Sequence, residues 1–231
     1  MAKGRLYGVG VGPGDPQLMT LKAAECVRQC DVLALPDSGS GDCVALHIAQ
    51  GAVPEAAQKP QLHLSMPMVR NRAQLEQSHQ VAAQTIIGQL EQGRNVALLT
   101  LGDPAIYSTC MYVYRRVREM GYEGELIPGV PSFCAAAAGL EMSLGEGSQP
   151  IHIIPGSYPD AEQELKRGGN KVIMKSGRSL GKVQQLLQQQ GQDVAARVAI
   201  NCGMEGERYC SLEEVQDAGY FSIVLVPEGG R

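Results

Sequence analysis

Short runs of β-forming residues alternate with longer segments of helical period over roughly the first 140 residues of the chain. The run from Val96 to Leu101 is continuously apolar, as is typical of a strand covered on both faces. Strands that alternate with helices predict β-α-β units on a mostly parallel sheet. The sequence therefore predicts an α/β fold, which limits ligand sites to the loops that follow the strands.

The predicted elements of this first half follow that alternation. Strands are expected at residues 5–11, 32–35, 62–64, 96–101 and 126–127, and helices at 18–30, 71–92, 107–120 and 132–138, with a further short helix after the loop at 37–42. Pro36 is expected to end the second strand, because proline cannot donate to a sheet. Gly93 and Gly139 are expected to close the two helices before them.

A segment poor in bulky apolar residues, GEGSQP at 145–150, divides the chain. We predict two domains there, 1–144 and 145–231. The second domain is expected to hold strands at 151–154, 172–174, 198–200, 208–210 and 222–226, and helices at 160–167, 179–190 and 212–218. Ser211 and Glu214 form a capping-box pattern for the last of these helices.

Charge and hydropathy exclude several classes of partner. Lys and Arg number 20 against 24 Asp and Glu, a formal net charge of −4, so no general positive field attracts nucleic acid. The apolar runs are far shorter than the roughly 20 residues that cross a bilayer, which predicts no membrane partner. Glycines interrupt the apolar N-terminal stretch MAKGRLYGVGVG, unlike a secretory signal, and we expect a cytoplasmic location.

The metal-binding residue types form no pattern typical of a metal site. The seven cysteines contain no C-x-x-C pair, and the four histidines are widely spaced. Cys26 and Cys30 lie one helical turn apart and could share a metal, but packing on an apolar helix face is favoured. We expect no protein-bound metal. His152 could accept a proton or could be a structural, hydrogen-bonded histidine; the second interpretation is favoured.

A glycine-rich loop, GVGVGPGDP at residues 8–16, follows the first predicted strand. It does not match a dinucleotide fingerprint, because the third glycine would have to stand at Asp15 or at Pro13. No G-x-x-x-x-G-K-[ST] motif occurs either, so a P-loop is not supported. So many residues without Cβ indicate strained backbone or close approach of a ligand, with a plain tight turn as the alternative.

Two further loops after predicted parallel strands combine glycine or proline with a polar side chain. They are LGDP at 101–104 and PGVPS at 128–132. Ligands of open α/β sheets bind outside the carboxyl ends of the strands, so these three loops together predict a small-molecule site. Taken singly, each is more often an ordinary turn.

The order and spacing of these motifs resemble the tetrapyrrole (corrin/porphyrin) methyltransferase family. The phrases are GVGPGDPQLMTLKA, LTLGDPAIYS, PGVPSFCAAAAGLEMSL and GYFSIVLV, which together cover nearly the whole chain. Within the family they are most similar to members that methylate carbon 20 of precorrin-2 or cobalt-factor-2 in cobalamin biosynthesis. The resemblance implies two αβα domains, unlike the usual Rossmann methyltransferases, that form a homodimer and bind S-adenosylmethionine in a cleft between the domains.

Carried over motif by motif, the resemblance implies cofactor contacts in both halves of the chain. The implied contacts are Pro13, Leu101, Gly102, Asp103, Ile106, Ser132, Phe133, Met174, Asn201, Cys202, Phe221 and Ser222. For Asp103 the alternative is an Asx turn. No residue is assigned as catalytic, because direct in-line methyl transfer requires mainly that two partners be held in contact.

The implied substrate is a tetrapyrrole that carries several carboxylates, so basic residues should pair with it. The candidates are Arg70, Arg72, Arg115, Arg116 and Lys175, between which the sequence does not decide. It also leaves open whether the substrate already contains cobalt; any cobalt would belong to the substrate. Alternative functions are another tetrapyrrole methylase, a diphthine synthase-like methyltransferase, or a non-catalytic tetrapyrrole carrier.

Overall fold

In the computed structural model, which describes residues 2–37, 43–67, 69, 71–215 and 219–228, the chain divides into two units. The units are Met1–Pro131 and Ser132–Arg231, and each is a β-sheet with packed helices. The predicted α/β class is confirmed. Among the described residues, no helix is long and apolar enough to cross a membrane.

The first unit is built on a parallel sheet. Its elements are β1 (Leu6–Gly10), α1 (Leu21–Gln29), β2 (Val32–Asp37), α2 (Val44–Ala52), β3 (Gln61–Ser65), α3 (Arg72–Leu90), β4 (Val96–Thr100), α4 (Cys110–Glu119) and β5 (Gly124–Ile127). The strand order is β3-β2-β4-β1-β5, and all four pairings are parallel. The predicted central position of β4 is confirmed.

Side chains of β4 alternate between two hydrophobic cores, one on each face of this sheet. Ala97 and Leu99 belong to the core that contains residues of α1 and α2, whereas Val96 and Leu98 belong to the core that contains residues of α3 and α4. A strand covered on both faces needs apolar residues at every position. This arrangement explains why the run from Val96 is continuously apolar.

Pro36 does not end the second strand, contrary to the prediction. β2 continues to Asp37, and Pro36 pairs with Leu64 of β3. Backbone groups of Leu33 and Asp37 form hydrogen bonds on the β3 side of β2. Successive residues of a strand direct their backbone groups to alternate sides, so the nitrogen of Pro36 faces β4. Pairing with β4 already stops at Ala34. The missing N–H therefore removes no ladder hydrogen bond.

The second unit contains a mixed sheet. Its elements are α5 (Ser132–Gly139), β6 (Ile151–Pro155), α6 (Ala161–Leu165), β7 (Asn170–Met174), α7 (Leu180–Gln189), β8 (Arg197–Ile200), β9 (Arg208–Ser211) and β10 (Ser222–Val226). The strand order is β6-β7-β10-β8-β9; β6 and β7 are parallel, and the other neighbours are antiparallel. The boundary between the units in the sequence precedes α5, which contacts β10, so this helix belongs to the second unit. The predicted domain boundary after residue 144 stays a prediction.

The helix predicted at 212–218 does not form over its described part. Residues 212–215 make turns, and 216–218 lie outside the described residues. Glu214 nevertheless reaches back to Ser211, accepting from its backbone N–H at 2.8 Å and its hydroxyl at 2.9 Å. Gln184 donates to the carbonyls of Leu212 and Val215, both at 3.0 Å. The Leu212 carbonyl also accepts from the Val215 N–H at 3.4 Å, so the described part forms a turn that Gln184 bonds from α7.

Candidate functional site

The three predicted loops of the first unit come together at the carboxyl edge of its sheet. They follow β4, β1 and β5, which are neighbours in the strand order. Gly12 and Gly102 form an isolated antiparallel bridge, with the Gly102 N–H donating at 2.7 Å and the Gly12 N–H at 3.3 Å. The Gly129 N–H donates to Oδ2 of Asp103 at 3.0 Å. These bonds join all three loops into one edge.

Glycines at this edge allow backbone to pack directly on backbone. A Cβ on Gly129 would lie 2.1 Å from the Gly102 carbonyl oxygen, and a Cβ on Gly10 would lie 2.6 Å from the same atom. Real Cβ atoms do not approach so closely, so any side chain would push the loops apart. The sequence interpretation, strain or a nearby ligand, missed this reason. The signal was available as a glycine at or just after the end of each of three adjacent strands.

Asp103 holds the loops together with both carboxylate oxygens. Oδ1 accepts from the Ala105 N–H at 2.8 Å, which is an Asx turn, and Oδ2 accepts from Gly129. The alternative interpretation of this residue is therefore present in the structure. A carboxylate can accept about four hydrogen bonds, and the structure shows two of them at Asp103.

The remaining predicted residues of the first unit lie on or beside the same loops. Pro13 is buried after Gly12, and Leu101 is half-buried against the core on the α1 and α2 side. Ile106 is half-buried and donates its N–H to the Asp103 carbonyl at 3.3 Å. The segment after β4 thus places apolar and polar groups side by side, as small-molecule sites require.

Strand register brings four predicted residues of the second unit to one edge of its sheet. β7 and β8 both run antiparallel to β10, so their carboxyl ends lie beside its beginning. Met174 pairs with Ile223, Ser222 pairs with Ile200, and the N–H of Asn201 donates to the Phe221 carbonyl at 2.8 Å. No sequence motif specifies this neighbourhood, because it depends on which strands pair.

Three further predicted residues of this unit lie on α5 and in the loop after β8. Ser132 and Phe133 begin α5, which contacts β10; Ser132 is half-buried and Phe133 is buried. Cys202 follows Asn201 in the loop after β8. The predicted residues of the second unit thus lie on α5, which contacts β10, and at the ends of β7 and β8 and the start of β10.

Two of these residues direct their side chains into the fold. The Cys202 thiol lies 3.3 Å from the Tyr209 hydroxyl, and burial raises the pKa of Cys202 while the bond to Tyr209 acts in the opposite direction. The Ser222 hydroxyl donates to the Gly219 carbonyl at 3.0 Å and the residue is 2% exposed. A ligand at this edge would meet the main chain of these residues rather than their side chains.

Three non-glycine residues in the loops after strands adopt left-handed backbone. They are Tyr107 after β4 (φ 49°), Lys175 after β7 (φ 54°) and Asn201 after β8 (φ 51°). Such conformations cost about 1–3 kcal/mol each and cluster at functional sites. Burial lowers the pKa of Lys175. The family resemblance implies Asn201 as a cofactor contact, and Lys175 is one of the five basic residues considered for the substrate. Tyr107 was not predicted, because backbone strain cannot be recognised from residue types.

His152 lies at the other edge of the second sheet. It pairs with Lys171 near the start of β7, and its Nε2 donates to the Gly168 carbonyl at 2.8 Å. Lys171 is 1% exposed and donates to the Gly169 carbonyl at 3.2 Å; burial lowers its pKa, and Glu228 acts in the opposite direction. The geometry favours the structural interpretation of His152.

The cysteine pair of α1 packs inside the first unit. The sulfur atoms of Cys26 and Cys30 lie 3.9 Å apart and both residues are buried. The bond from Cys26, followed by burial, raises the pKa of the Cys30 thiol. Within the described residues, no group of three or more His, Cys, Asp or Glu side chains is placed to hold a metal ion.

Comparison with known proteins identifies the family. The sequence profile of the tetrapyrrole (corrin/porphyrin) methylases matches residues 5–216. The chain belongs to this family. The resemblance that the loop motifs carry is therefore confirmed, and the matched range includes loops and strand ends from both units.

The curated relatives of this chain include a protein about twice its length and proteins of similar length. The cobalamin biosynthesis protein CobIJ of Mycobacterium tuberculosis is 32% identical over 242 residues, covering 100% of this chain, which spans only 47% of that relative. Precorrin-2 C(20)-methyltransferase of a Sinorhizobium species is 34% identical, with 97% and 95% of the two chains covered. Cobalt-precorrin-2 C(20)-methyltransferase of Salmonella typhimurium is 32% identical, with 96% of each covered.

Solved structures share the fold of this chain. A cobalt precorrin-4 methyltransferase, CbiF, superposes with a TM-score of 0.75 at 21% identity, covering 96% of this chain and 94% of that one. Uroporphyrin-III C-methyltransferase of Thermus thermophilus, solved with bound S-adenosylhomocysteine, gives 0.69 at 19% identity, covering 97% and 98%. At these identities the likeness concerns the fold.

Proposed function

We propose that this tetrapyrrole methylase transfers a methyl group from S-adenosylmethionine to carbon 20 of precorrin-2 or cobalt-factor-2, a step of cobalamin biosynthesis. The observation that carries the proposal is the match, over nearly their whole lengths, to relatives named for C(20) methylation of precorrin-2 and cobalt-precorrin-2. A relative named for C(11) methylation of precorrin-4 is covered over only 59% of its length, which favours carbon 20 over carbon 11.

The residues at the two sheet edges fit the proposed cofactor chemically. An adenosyl group needs apolar contacts, and Leu101, Ile106 and Met174 are half-buried side chains able to supply them. Ribose and amino-acid groups need donors and acceptors, which Asp103 and Asn201 offer. S-adenosylhomocysteine bound to a structural neighbour supports the same cofactor class.

The twelve residues of the family resemblance remain our proposed cofactor contacts. In the first unit they are Pro13, Leu101, Gly102, Asp103 and Ile106, and in the second they are Ser132, Phe133, Met174, Asn201, Cys202, Phe221 and Ser222. The main chain of Gly102 is already in contact with Gly12 through the bridge between their loops. Cys202 and Ser222 are proposed to act through backbone groups, because their side chains bond within the fold.

Direct methyl transfer requires mainly that the enzyme position the methyl donor and the acceptor carbon in contact. S-adenosylmethionine supplies an electrophilic methyl group, and carbon 20 of the reduced tetrapyrrole is an enamine-like nucleophile. Well-oriented reactants gain about 7–11 kcal/mol from proximity alone. The loops joined by Asp103 are suited to this task, because a rigid edge holds a bound group at a constant place. No side chain is therefore proposed as a nucleophile.

The experiment that tests the function uses S-adenosylmethionine with an isotopically labelled methyl group. The protein is incubated with precorrin-2 or with its cobalt complex, and products are analysed by mass spectrometry and by carbon NMR. We expect one added methyl, at carbon 20, and the faster substrate will show whether cobalt is already present. Label at another carbon, or only on RNA or elongation factor, would contradict the assignment.

A carrier would behave differently from an enzyme. It would bind the tetrapyrrole but have no affinity for S-adenosylmethionine, so a calorimetric titration with S-adenosylhomocysteine separates the two. We expect binding with about one site per chain. If the titration with S-adenosylhomocysteine gave only the heat of dilution while the protein still bound the tetrapyrrole, the carrier would be favoured.

We further propose, from the family resemblance, that the protein works as a cytoplasmic homodimer on a small-molecule substrate, independently of nucleic acid and membranes. Cobalt, where present, is proposed to enter with the substrate rather than on a protein site. Light scattering during gel filtration tests the dimer, and metal analysis of the purified protein tests the second point.

A further inference from the structure

Lys175 occupies a backbone conformation that a lysine rarely adopts. Its φ of 54° lies in the left-handed region, where glycine fits at little cost and a Cβ is strained. It follows Met174, whose strand β7 ends beside the start of β10. A strained residue at a strand end, where glycine would be cheaper, indicates that the side chain is needed.

The structure also separates Lys175 from the other basic residues considered for the substrate. Arg72 begins α3 and Arg115 lies on α4, both exposed. Arg116 pairs with Glu76 and donates to the Tyr112 carbonyl at 3.3 Å. Arg70 lies outside the described residues. Of the candidates that are described, Lys175 is the one placed at the carboxyl end of a strand.

Two exposed tyrosines lie on the loops that border Lys175. Tyr158 is 60% exposed and follows Gly156, whose N–H donates to the Met174 carbonyl at 2.7 Å. Tyr220 is 58% exposed, and its ring meets the ring of Phe221 edge-on at 5.0 Å. Phe221 in turn accepts from Asn201. One sheet edge therefore presents a half-buried cation and two large aromatic faces.

We propose that Lys175, Tyr158 and Tyr220 form the subsite of the second unit that binds the tetrapyrrole substrate, an inference that rests on the proposed function. The ammonium group of Lys175 pairs with a peripheral carboxylate, and the tyrosine rings pack against the flat macrocycle. A carboxylate accepts a charge-assisted hydrogen bond from an ammonium group. The cofactor contacts proposed above do not include these three side chains, so the subsite can be tested separately.

The first experiment compares Lys175→Met, which keeps the length without the charge, with Lys175→Arg. As the matched control, Lys182→Met removes an exposed lysine of α7 that pairs with Glu162. For Lys175→Met we expect the KM for precorrin-2 to rise about tenfold to a hundredfold, the range of a charge-assisted hydrogen bond. The Kd for S-adenosylhomocysteine is expected to stay at the wild-type value. Arg should restore most of the affinity.

A Lys175→Gly variant separates function from folding. Glycine relieves the strained φ, so we expect an unchanged or higher Tm together with the same loss of substrate affinity. A lower Tm with unchanged KM would show that the side chain is structural and overturn the proposal. A higher Kd for S-adenosylhomocysteine with an unchanged KM for precorrin-2 would assign Lys175 to the cofactor site. That result would also overturn the proposal.

The tyrosines are tested by Tyr158→Ala and Tyr220→Ala, with the Phe variants as controls that keep the ring. We expect a loss of substrate affinity for Ala and near-normal affinity for Phe, because the ring face carries the contact. A change of oligomeric state with unchanged KM would instead place these rings in a subunit interface and overturn their role.

A direct binding measurement tests the subsite independently of methyl transfer. Uroporphyrin, a carboxylated macrocycle, is titrated and followed by absorbance, with an uncharged alkyl porphyrin as control. If wild type binds uroporphyrin but methylates neither form of precorrin-2, the proposed function fails while loss of binding in Lys175→Met still supports the subsite. Equal binding by wild type and Lys175→Met overturns the subsite alone. No uroporphyrin binding by wild type overturns the subsite, whereas the proposed function is judged by methyl transfer to precorrin-2 or its cobalt complex.

Discussion

Gly129 is the residue whose missing side chain matters most at the first sheet edge. In Gly129→Ala the new Cβ would lie 2.1 Å from the Gly102 carbonyl oxygen. Overpacking of this kind costs about 1–3 kcal/mol, and the displaced loops should bind S-adenosylhomocysteine more weakly. Urea unfolding and calorimetry measure the two effects.

The matched control for that variant is Gly88→Ala in α3. No described atom lies within 4 Å of the added Cβ, and alanine favours a helix interior over glycine by about 1 kcal/mol. We expect a small gain in stability and unchanged ligand affinity. If Gly129→Ala behaved like this control, backbone contact between the loops would not be the reason for glycine.

Asp103 combines a structural role with a proposed binding role. Two variants, compared in stability and in ligand affinity, test both roles. Asp103→Ala removes both acceptors and should destabilise the protein by about 1–3 kcal/mol, since two backbone N–H groups lose their partner. Asp103→Ala should also raise the Kd for S-adenosylhomocysteine at least tenfold. Asp103→Asn retains one acceptor oxygen and should fall between Ala and wild type in both assays. Unchanged ligand affinity in the Ala variant would remove Asp103 from the proposed contacts.

At the scale of elements, Thr20 connects helix α1 to the loop after β5. Its hydroxyl oxygen accepts from the Ala23 N–H at 3.1 Å, capping the helix, and its hydroxyl donates to the Pro128 carbonyl at 3.3 Å. Thr20→Val keeps the shape without the hydroxyl and should lower the free energy of unfolding by about 1–2 kcal/mol. Thr20→Ser keeps the cap and should lose much less. Equal stability of the Val variant and wild type would show that the cap contributes nothing.

The contact between α3 and α4 makes stability depend on pH through His79. Its ring stacks on Tyr112 with centroids 5.0 Å apart, and burial, followed by the nearby Arg116, lowers its pKa, with Glu76 opposing. The unfolded chain then binds a proton that the folded chain does not. Stability from this group is present above the ordinary histidine pKa of about 6.5 and is lost as the pH falls below it.

His79→Gln should therefore reduce the fall in Tm between neutral and mildly acidic pH. His63→Gln is the control, because His63 is exposed on β3. We expect that control to retain the pH dependence of wild type. Parallel curves for wild type and His79→Gln would exclude His79 as the source.

At the scale of the whole molecule, the proposed cofactor site predicts stabilisation by ligand. S-adenosylhomocysteine at 100 times its Kd should add about 2.7 kcal/mol to the free energy of unfolding. For a chain of this length that corresponds to a Tm increase of about 5–10 °C. Scanning calorimetry measures it, and Thr20→Ser, outside the proposed contacts, should retain the full shift. A constant Tm across ligand concentrations would contradict specific binding.

Local pattern predicted most of the architecture and failed where tertiary contacts compete with it. Strand and helix positions follow from hydrophobic period, which is a property of the sequence alone. The end of β2 does not, because the cost of Pro36 depends on which side of the strand is paired. The turn at 212–215 also differs from the predicted helix, and Gln184, from a helix distant in the sequence, donates to two of its carbonyls.

Residue order and spacing specify the α/β class, the three glycine-containing loops and the family. Tertiary structure decided why those glycines are required, what Asp103 bonds to, and which candidate cation stands at a strand end. These features depend on strand pairing and register, which bring together residues far apart in the chain. Contacts of that kind are set by the free energy of the whole fold, and no local segment encodes them alone.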